Sequence, residues 1–418
     1  MARLTGTDFR PAKPRRSLIA LAALLNRVIL PRHTTVDVPP ADVALLRSLP
    51  RGCLIAPNHA HYADPQVTFE LARRAGRRFI YMATREAFDG WGGWQGWIIQ
   101  RLGVFSVNRG GANVEGQRFA RGVLVAGECD LLMFPEGEIY LLNDVVMPLK
   151  PGAARLGLEA ADELSRQGRR RRVLIVPVAV KYEFSGDITP ALEATAARLE
   201  TAVLGRSRPG PLYPRIVALG TELLARAERA HGLTPLPGEG LFERVRRLRQ
   251  SLLEDLERKH FGRVREGFDF DRARKLMVRL RERLLTVTRE GGYYGPPAAP
   301  PGDPLTADLE AAHLCARSAS FQDDYLIQNP TPERMAETLI KLEREVLGKE
   351  IRGSLGRRRA VIRIAPPLDV GEFLAAESAG TARDGTVEAI VIRLYEALQG
   401  ALDAIARETR ERGAATER

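Results

Sequence analysis

The chain has 418 residues, 44% of them hydrophobic, which is enough to bury the core of one large domain or of several smaller ones. The formal net charge of +11 favours anionic partners, such as phospholipid surfaces, acidic carrier proteins or phosphorylated substrates. Three cysteines without a repeating spacing argue against a disulfide scaffold and fit a reducing, cytoplasmic setting, and no apolar run reaches the roughly 18 residues of a membrane-spanning helix.

Residues 1–45 are predicted to form a basic tail and then an amphipathic helix at positions 17–30. Four apolar residues share one face of that helix: Leu18, Leu21, Leu25 and Val28. Such a helix can lie in the plane of an anionic membrane or pack on the rest of the domain, and both interpretations stay open. A signal peptide is disfavoured because no small-residue cleavage site follows.

Residues 46–185 alternate between strand-like and helical patterns. Strands are predicted at 53–56, 79–82, 104–107, 131–134 and 173–181, and helices at 66–74, 94–102, 114–127 and 153–166. This alternation is typical of an α/β domain with a central sheet flanked by helices.

Residues 186–359 are dominated by long helical patterns, and the sequence shows no obvious internal repeat. Helices are predicted at 190–203, 215–229, 241–260, 270–290, 305–319 and 331–347. The arginine-rich helices at 241–290 indicate either an ordinary solvated face or a surface for anionic lipid or an acidic carrier protein. A strand at 360–364 and a long helix at 386–412 complete the prediction over residues 360–418.

The first chemical motif is a His-x4-Asp spacing in the loop after the strand predicted at 53–56. His59 and Asp64 can pair if this loop folds back on itself. The carboxylate would then fix the imidazole tautomer, and the other ring nitrogen could take a proton from a substrate hydroxyl.

Three further stretches follow in order, at 103–109, at 134–137 and at 176–180. Together with the His-x4-Asp loop they resemble the glycerolipid acyltransferase family, which includes the bacterial 1-acylglycerol-3-phosphate acyltransferases. The resemblance covers residues 51–183 and returns at 360–370, so it implies that the late strand belongs to the catalytic sheet and that 186–359 is a helical insertion.

The resemblance implies an O-acyltransferase that moves a fatty acyl group from acyl-CoA or acyl carrier protein to a lysophospholipid, with 1-acylglycerol-3-phosphate as the default acceptor. His59 would be the general base and Asp64 its partner, without a metal or a further cofactor. The residues implied for substrate binding are Asn58, Gly103, Phe105, Arg109, Phe134, Pro135, Glu136, Gly137 and Lys150.

The chain departs from the family pattern after Gly137. The family usually continues with Thr or Ser, Arg and Ser, whereas this chain continues with Glu138, Ile139 and Tyr140. The change removes a hydroxyl and a positive charge and adds a carboxylate, which bears on the identity of the acceptor. Lys150, before a predicted helix N-terminus, could restore part of the positive charge.

Two alternatives remain open. His59, His61 and Asp64 could belong to a metal-dependent hydrolase, or the protein could be a non-catalytic membrane binder with the same fold. The motifs of serine hydrolases, P-loop enzymes and dinucleotide enzymes are missing from the sequence, which disfavours those classes.

The expected location is the inner face of the cell membrane, with peripheral contact. Trp91, Trp94 and Trp97 lie in a glycine-containing segment that suits a membrane lip, an acyl-chain channel or packing beneath the sheet. Nucleic acid is not an expected partner because no recognised binding motif accompanies the positive charge.

Overall fold

The computed structural model describes residues 9–107, 113–287, 303–322, 325–347, 355–378 and 383–416. The backbone divides into two compact units. The first joins Met1–Gly186 to Gly356–Arg418 and is called the α/β unit; the second is Asp187–Leu355 and is called the helical unit.

In the described part of the chain, eight strands of the α/β unit form one sheet. The strands are β1 Thr34–Asp37, β2 Leu54–Pro57, β3 Phe79–Thr84, β4 Val104–Val107, β5 Asp130–Leu132, β6 Leu174–Phe184, β7 Arg358–Ile364 and β8 Leu368–Asp369. Their order is β1-β7-β6-β2-β5-β3-β4, and β8 pairs with β6. The β6–β7 and β6–β8 pairs are antiparallel and the other pairs are parallel, so the predicted α/β fold is confirmed.

The helices are numbered in chain order. They are α1 Arg16–Ile29, α2 Pro40–Ser48, α3 Asp64–Arg74, α4 Trp94–Arg101, α5 Val114–Ala126, α6 Gly152–Arg166, α7 Thr189–Leu204, α8 Leu212–Ala230, α9 Leu241–Phe261, α10 Asp269–Val287, α11 Pro304–Ser318, α12 Tyr325–Gln328, α13 Pro332–Leu347, α14 Val370–Ser378 and α15 Arg383–Thr416. The helical unit contains α7 to α13. None of the described helices is long and apolar enough to cross a membrane.

The central strands are buried on both faces, which explains their continuous apolar sequences. Every residue of β2 is buried, and so is β6 from Leu174 to Glu183. The strand predicted at 360–364 is confirmed as part of β7, which lies between β1 and β6. Strand β1 was not predicted, because it has only four residues and pairs with β7, more than 300 positions away in the chain.

A repeated helical hairpin corrects the expectation that the chain has no internal repeat. The α7–α8 and α9–α10 hairpins share the pattern Leu-Glu-x4-Gly-Arg-x-Arg-x-Gly-x4-Arg-x3-Leu-x3-Leu, beginning at Leu199 and again at Leu256. The first glycine of each copy ends its helix with a φ near +74°, and the second has a φ near +115°. These two glycines explain how both copies make the same turn, since L side chains rarely adopt such angles.

In the first copy, a buried glutamate joins the two helices and the loop between them. Glu200 is 0% exposed and accepts two hydrogen bonds from the Arg215 guanidinium, at 3.0 and 2.9 Å. It also accepts the backbone N–H of Arg208 at 3.0 Å. The same guanidinium also binds Glu193, which lies two turns before Glu200 on α7.

The second copy makes the same contacts 57 residues later. Glu257 is 0% exposed, accepts two bonds from Arg272 at 3.2 and 2.8 Å, and accepts the backbone N–H of Arg265 at 2.9 Å. Arg272 also reaches Gln250 at 3.0 Å, where the first copy has Glu193. The repeat is hard to see in the sequence because the residues that the two copies share are separated by up to four residues that differ.

Candidate active site

The loop that carries the His-x4-Asp motif leaves the carboxyl end of β2 and enters α3, and Asn58 fixes its start. The Asn58 side chain is 1% exposed, accepts the Val180 N–H at 2.7 Å and donates to the Val180 carbonyl at 3.0 Å. Asn143 makes the same pair of bonds with the backbone of Tyr182, both at 2.6 Å. The two amides thus replace β2 along the edge of β6, where β2 has ended.

His59 and Asp64 form a close pair. His59 Nδ1 lies 2.8 Å from Asp64 Oδ2. Asp64 opens α3, where the helix dipole favours negative charge, and is 0% exposed. Its Oδ2 also accepts the His61 N–H at 2.9 Å, and its Oδ1 accepts the Tyr182 hydroxyl at 2.5 Å. With Nδ1 donating to Asp64, Nε2 is the imidazole nitrogen that carries the lone pair.

The Tyr182 hydroxyl is held as a donor. Burial and the neighbouring charge of Asp64 raise the pKa of Tyr182 well above its usual range, so the phenol keeps its proton. Tyr182 was not among the site residues predicted from the sequence. The available signal was a tyrosine at the end of a buried apolar strand, where its hydroxyl needs a partner.

The His59 ring lies flat against Phe134, with ring centroids 3.9 Å apart and an interplanar angle of 14°. The imidazole side chain is 14% exposed. Stacking on one face and the Asp64 bond at one edge therefore fix both the plane and the rotation of the ring.

Glu136 holds the backbone of the same loop. Its two carboxylate oxygens accept the N–H of His59 at 2.7 Å and of Met147 at 3.1 Å, and the residue is 3% exposed. Burial raises the pKa of Glu136 to about 7; the two N–H bonds act in the opposite direction, and the charge of Asp64 acts in the same direction as burial. The resemblance implied substrate binding for Glu136, whereas its contacts in the structure position His59.

The turn at 134–137 packs against the segment that leads into α6. Pro135 accepts the Lys150 N–H at 2.8 Å, and Gly137 has a φ of +71°. A side chain at Gly137 would meet the Lys150 stem, since a Cβ there would lie 2.9 Å from Lys150 Cε. Gly137 and Lys150 therefore adjoin, and Gly137 donates its N–H to the carbonyl of Phe134, the residue that stacks on His59.

The stretch predicted at 103–109 is described only in part. Gly103 turns into β4 with a φ of +98°, and Phe105 is 0% exposed and packs on the rings of Phe9 and Phe119. Gly103 is therefore a turn residue and Phe105 a core residue in the structure. Arg109 lies outside the described residues.

His61 is uncharged at neutral pH. Its Nδ1 lies 3.1 Å from the Ala63 backbone N–H, which donates to it. Burial lowers the pKa of His61 to about 4; Arg358 adds to this shift, and Asp64 opposes it. In the described part of the chain, no three His, Cys, Asp or Glu side chains are grouped so that they could hold a metal ion.

A comparison with known families matches residues 41–181 to the model described as Acyltransferase. Residues 41–181 form an acyltransferase domain. The match includes β2, the His59 loop, the turn at 134–137 and most of β6, and it confirms the resemblance inferred from the motifs. The matched segment is about a third of the chain. No curated protein matches the sequence.

Within this acyltransferase domain, the structure brings together His59, Asp64, Phe134 and Glu136. It adds Tyr182, which lies just beyond the matched residues. The domain also depends on a strand outside the match, because β7 covers the other edge of β6 over positions 178–184.

Proposed function

We propose that this protein transfers a fatty acyl group from a thioester donor to the hydroxyl of a lysophospholipid, with His59 as general base. The observation that carries the proposal is the His59–Asp64 pair at a strand end inside an acyltransferase domain. The donor is acyl-CoA or acyl carrier protein, and 1-acylglycerol-3-phosphate is the default acceptor.

The reaction needs one proton to be moved twice. Nε2 of His59 takes the proton of the acceptor hydroxyl as its oxygen attacks the thioester carbonyl. Asp64 stabilises the imidazolium that forms. When the carbon–sulfur bond breaks, the imidazolium returns the proton to the departing thiolate, which leaves an ester, a thiol and the starting form of the enzyme.

The supporting residues position this base. Tyr182 and the His61 N–H hold the Asp64 carboxylate, while Glu136 and Asn58 hold the backbone of the loop. Accurate placement of this kind matters because a misplaced base loses much of the benefit of a bound, oriented acceptor.

Recognition of the acceptor phosphate is proposed for Arg109 from the resemblance, with Lys150 as a second cation. Arg109→Ala should raise the KM for a phosphate-bearing acceptor and leave an acceptor without phosphate much less affected, because the phosphate is held equally in the ground and transition states. An equal loss for both acceptors would contradict this role.

Peripheral membrane contact is proposed for the outer face of α1. In this helix Leu21, Leu24, Leu25, Val28 and Ile29 are exposed. The opposite face meets the domain, since the Asn26 side chain donates to the carbonyl of Gln66. An exposed apolar face with basic neighbours suits an anionic lipid surface.

The tryptophan segment supports the same proposal. Trp91 is 75% exposed and Trp94 is 65% exposed, while Trp97 stacks under the Arg101 guanidinium at 3.8 Å. Exposed indoles beside a cation suit the water–lipid boundary better than packing beneath the sheet.

The decisive experiment incubates the purified full-length chain with labelled acyl-CoA or acyl carrier protein and a panel of lysolipids. The expected result is transfer of label to at least one acceptor. Failure with every acceptor and both donors would contradict the proposal, and vesicle binding without turnover would point to the non-catalytic alternative.

A further inference from the structure

The helical unit contains an apolar cavity of about 280 Å³ that plays no part in the proposed reaction. Helices α8, α9, α11 and α13 form its walls, together with α12 and the turn after α11. Its apolar lining on α8 and α9 includes Ile216, Leu224, Leu241, Phe242, Val245 and Leu248.

One wall of this cavity carries a buried lysine. Lys341 is 3% exposed, and its Nζ donates to the Ser320 carbonyl at 2.8 Å. In the described part of the chain this is the one hydrogen bond of its ammonium, which has three N–H donors. The ammonium also lies 5.5 Å from the centroid of the Phe321 ring. Thr338, one turn earlier on α13, and Gln322 also line this side. The Thr338 hydroxyl donates to the Arg334 carbonyl at 2.8 Å, and the Gln322 amide donates to the Ala319 carbonyl at 3.1 Å and has a second N–H.

The two nearby acidic groups each have another partner. Glu345, also in the lining, pairs with Arg317 at 2.7 Å, and Glu337 accepts the Tyr325 hydroxyl at 2.8 Å. Burial lowers the pKa of Lys341 to about 7; Glu337 opposes this shift, and Arg344 adds to it. An ammonium this deeply buried gains stability from a matching anion.

A glycine keeps the cavity open. Gly220 lies in the middle of α8, where glycine costs about 1 kcal/mol relative to alanine. A Cβ built there meets no atom within 4 Å, and Gly220 lines the cavity, so a side chain would project into empty space. The equivalent position in the second hairpin copy is Met277, which shows that the repeat itself accepts a long side chain.

We infer that this cavity binds a medium-chain fatty carboxylate, with its chain against α8 and α9 and its carboxylate on Lys341. A cavity of about 150 Å³ holds benzene, so about 280 Å³ suits a chain with roughly a dozen non-hydrogen atoms. Lys341 is the one cationic residue of the described lining, and Glu345 is also in that lining, which suits a monoanion better than a doubly charged phosphate.

The test is calorimetric titration of the full-length chain with decanoate, which requires no acyl transfer. Decanoate should bind one-to-one with a dissociation constant below about 1 mM. Lys341→Met should weaken binding by about 30-fold or more, because the carboxylate would lose its buried partner. Decanol and decylamine should bind more weakly than decanoate.

Two variants separate binding from folding. Gly220→Met should abolish decanoate binding without lowering the melting temperature, since it fills empty space and removes a helical glycine. Lys275→Met, at an exposed lysine of α10 outside the lining, should bind decanoate as the wild type does. The absence of saturable binding to the wild type, or equal binding by Lys341→Met or Gly220→Met, would overturn the inference.

Discussion

The two units of the chain use the same device, a fully buried carboxylate that accepts several hydrogen bonds, to different ends. In the α/β unit, Asp64 accepts from an imidazole, a phenol and a backbone N–H. In the helical unit, Glu200 and Glu257 each accept from a guanidinium and a loop N–H. The nature of the donor makes the difference.

A guanidinium stays charged and binds a carboxylate in a fixed two-bond geometry. It therefore stabilises a helical hairpin but does not exchange a proton with a substrate. An imidazole titrates near neutral pH and keeps a second nitrogen for a substrate. A buried carboxylate at the start of α3 therefore holds the imidazole of the proposed base, whereas between two helices it joins them to each other.

The largest expected effect concerns the imidazole. His59→Ala should lower kcat by about 10² to 10⁴-fold with little change in acceptor binding, because the hydroxyl loses its base. Asp64→Asn should act in the same direction, since an amide neither stabilises the imidazolium nor fixes its tautomer. Steady-state kinetics with the best acceptor of the panel measures both.

The double variant tests whether the pair acts as one device. Replacing both residues should cost little more than the worse single change, since neither works without the other. His61→Ala should keep activity within a few-fold of the wild type. Loss of all activity in His61→Ala together with loss of a bound metal would identify a metal site and disprove the base assignment.

The next effect concerns the braces. Arg272→Met should destabilise the helical unit by about 3 to 5 kcal/mol, because Glu257 would remain buried without its cation. Arg215→Met should behave alike in the first copy. Hydrogen exchange of the α7–α10 amides measures the loss without requiring the whole chain to unfold as one.

An exposed pair is the control for this prediction. Arg258 and Glu254 are 56% and 40% exposed at their side chains, so Arg258→Met should cost less than about 1 kcal/mol. A similar loss for the exposed and buried arginines would contradict the role given to burial.

The third effect is a pH dependence within the α/β unit. The pKa of His61 falls to about 4 on folding, so acid protonates the unfolded chain first and stability drops as the pH falls from about 6.5 to 4. The pKa of Glu136 rises to about 7, so this residue does the reverse and adds stability as the pH falls from about 7 to 4.5. Each contributes up to about 3 kcal/mol, and the two slopes oppose each other.

A substitution at His61 should separate the two opposing contributions to the pH dependence of stability. His61→Gln removes the destabilisation that His61 causes in acid. Relative to the wild type, this variant should therefore gain stability as the pH is lowered from 7 to 4.5 in urea unfolding experiments. Parallel curves for the two proteins would show that His61 keeps its ordinary pKa in the folded state and would contradict this prediction.

The same contrast explains what the sequence could predict. The His59 loop and the turn at 134–137 are short, contiguous motifs, so their positions at strand ends followed from the apolar runs before them. Tyr182 and Asn143 were not predicted, because their contacts depend on where β2 ends beside β6 in the tertiary structure. The hairpin repeat was not predicted either, because Glu200 and Arg215 become neighbours only after the chain turns at two glycines.

The smallest effect concerns the outer face of α1, which neither packs in a core nor carries chemistry. Leu24→Ser should weaken binding to anionic vesicles by about five-fold, as expected if roughly half of a leucine side chain enters the lipid. Ile392→Ser is a matched control, because Ile392 is a similarly exposed apolar residue on α15. High salt should weaken binding further, since the arginines beside α1 add an electrostatic part. Co-sedimentation measures all three, and unchanged binding by Leu24→Ser would move the membrane contact to the Trp91–Trp97 segment.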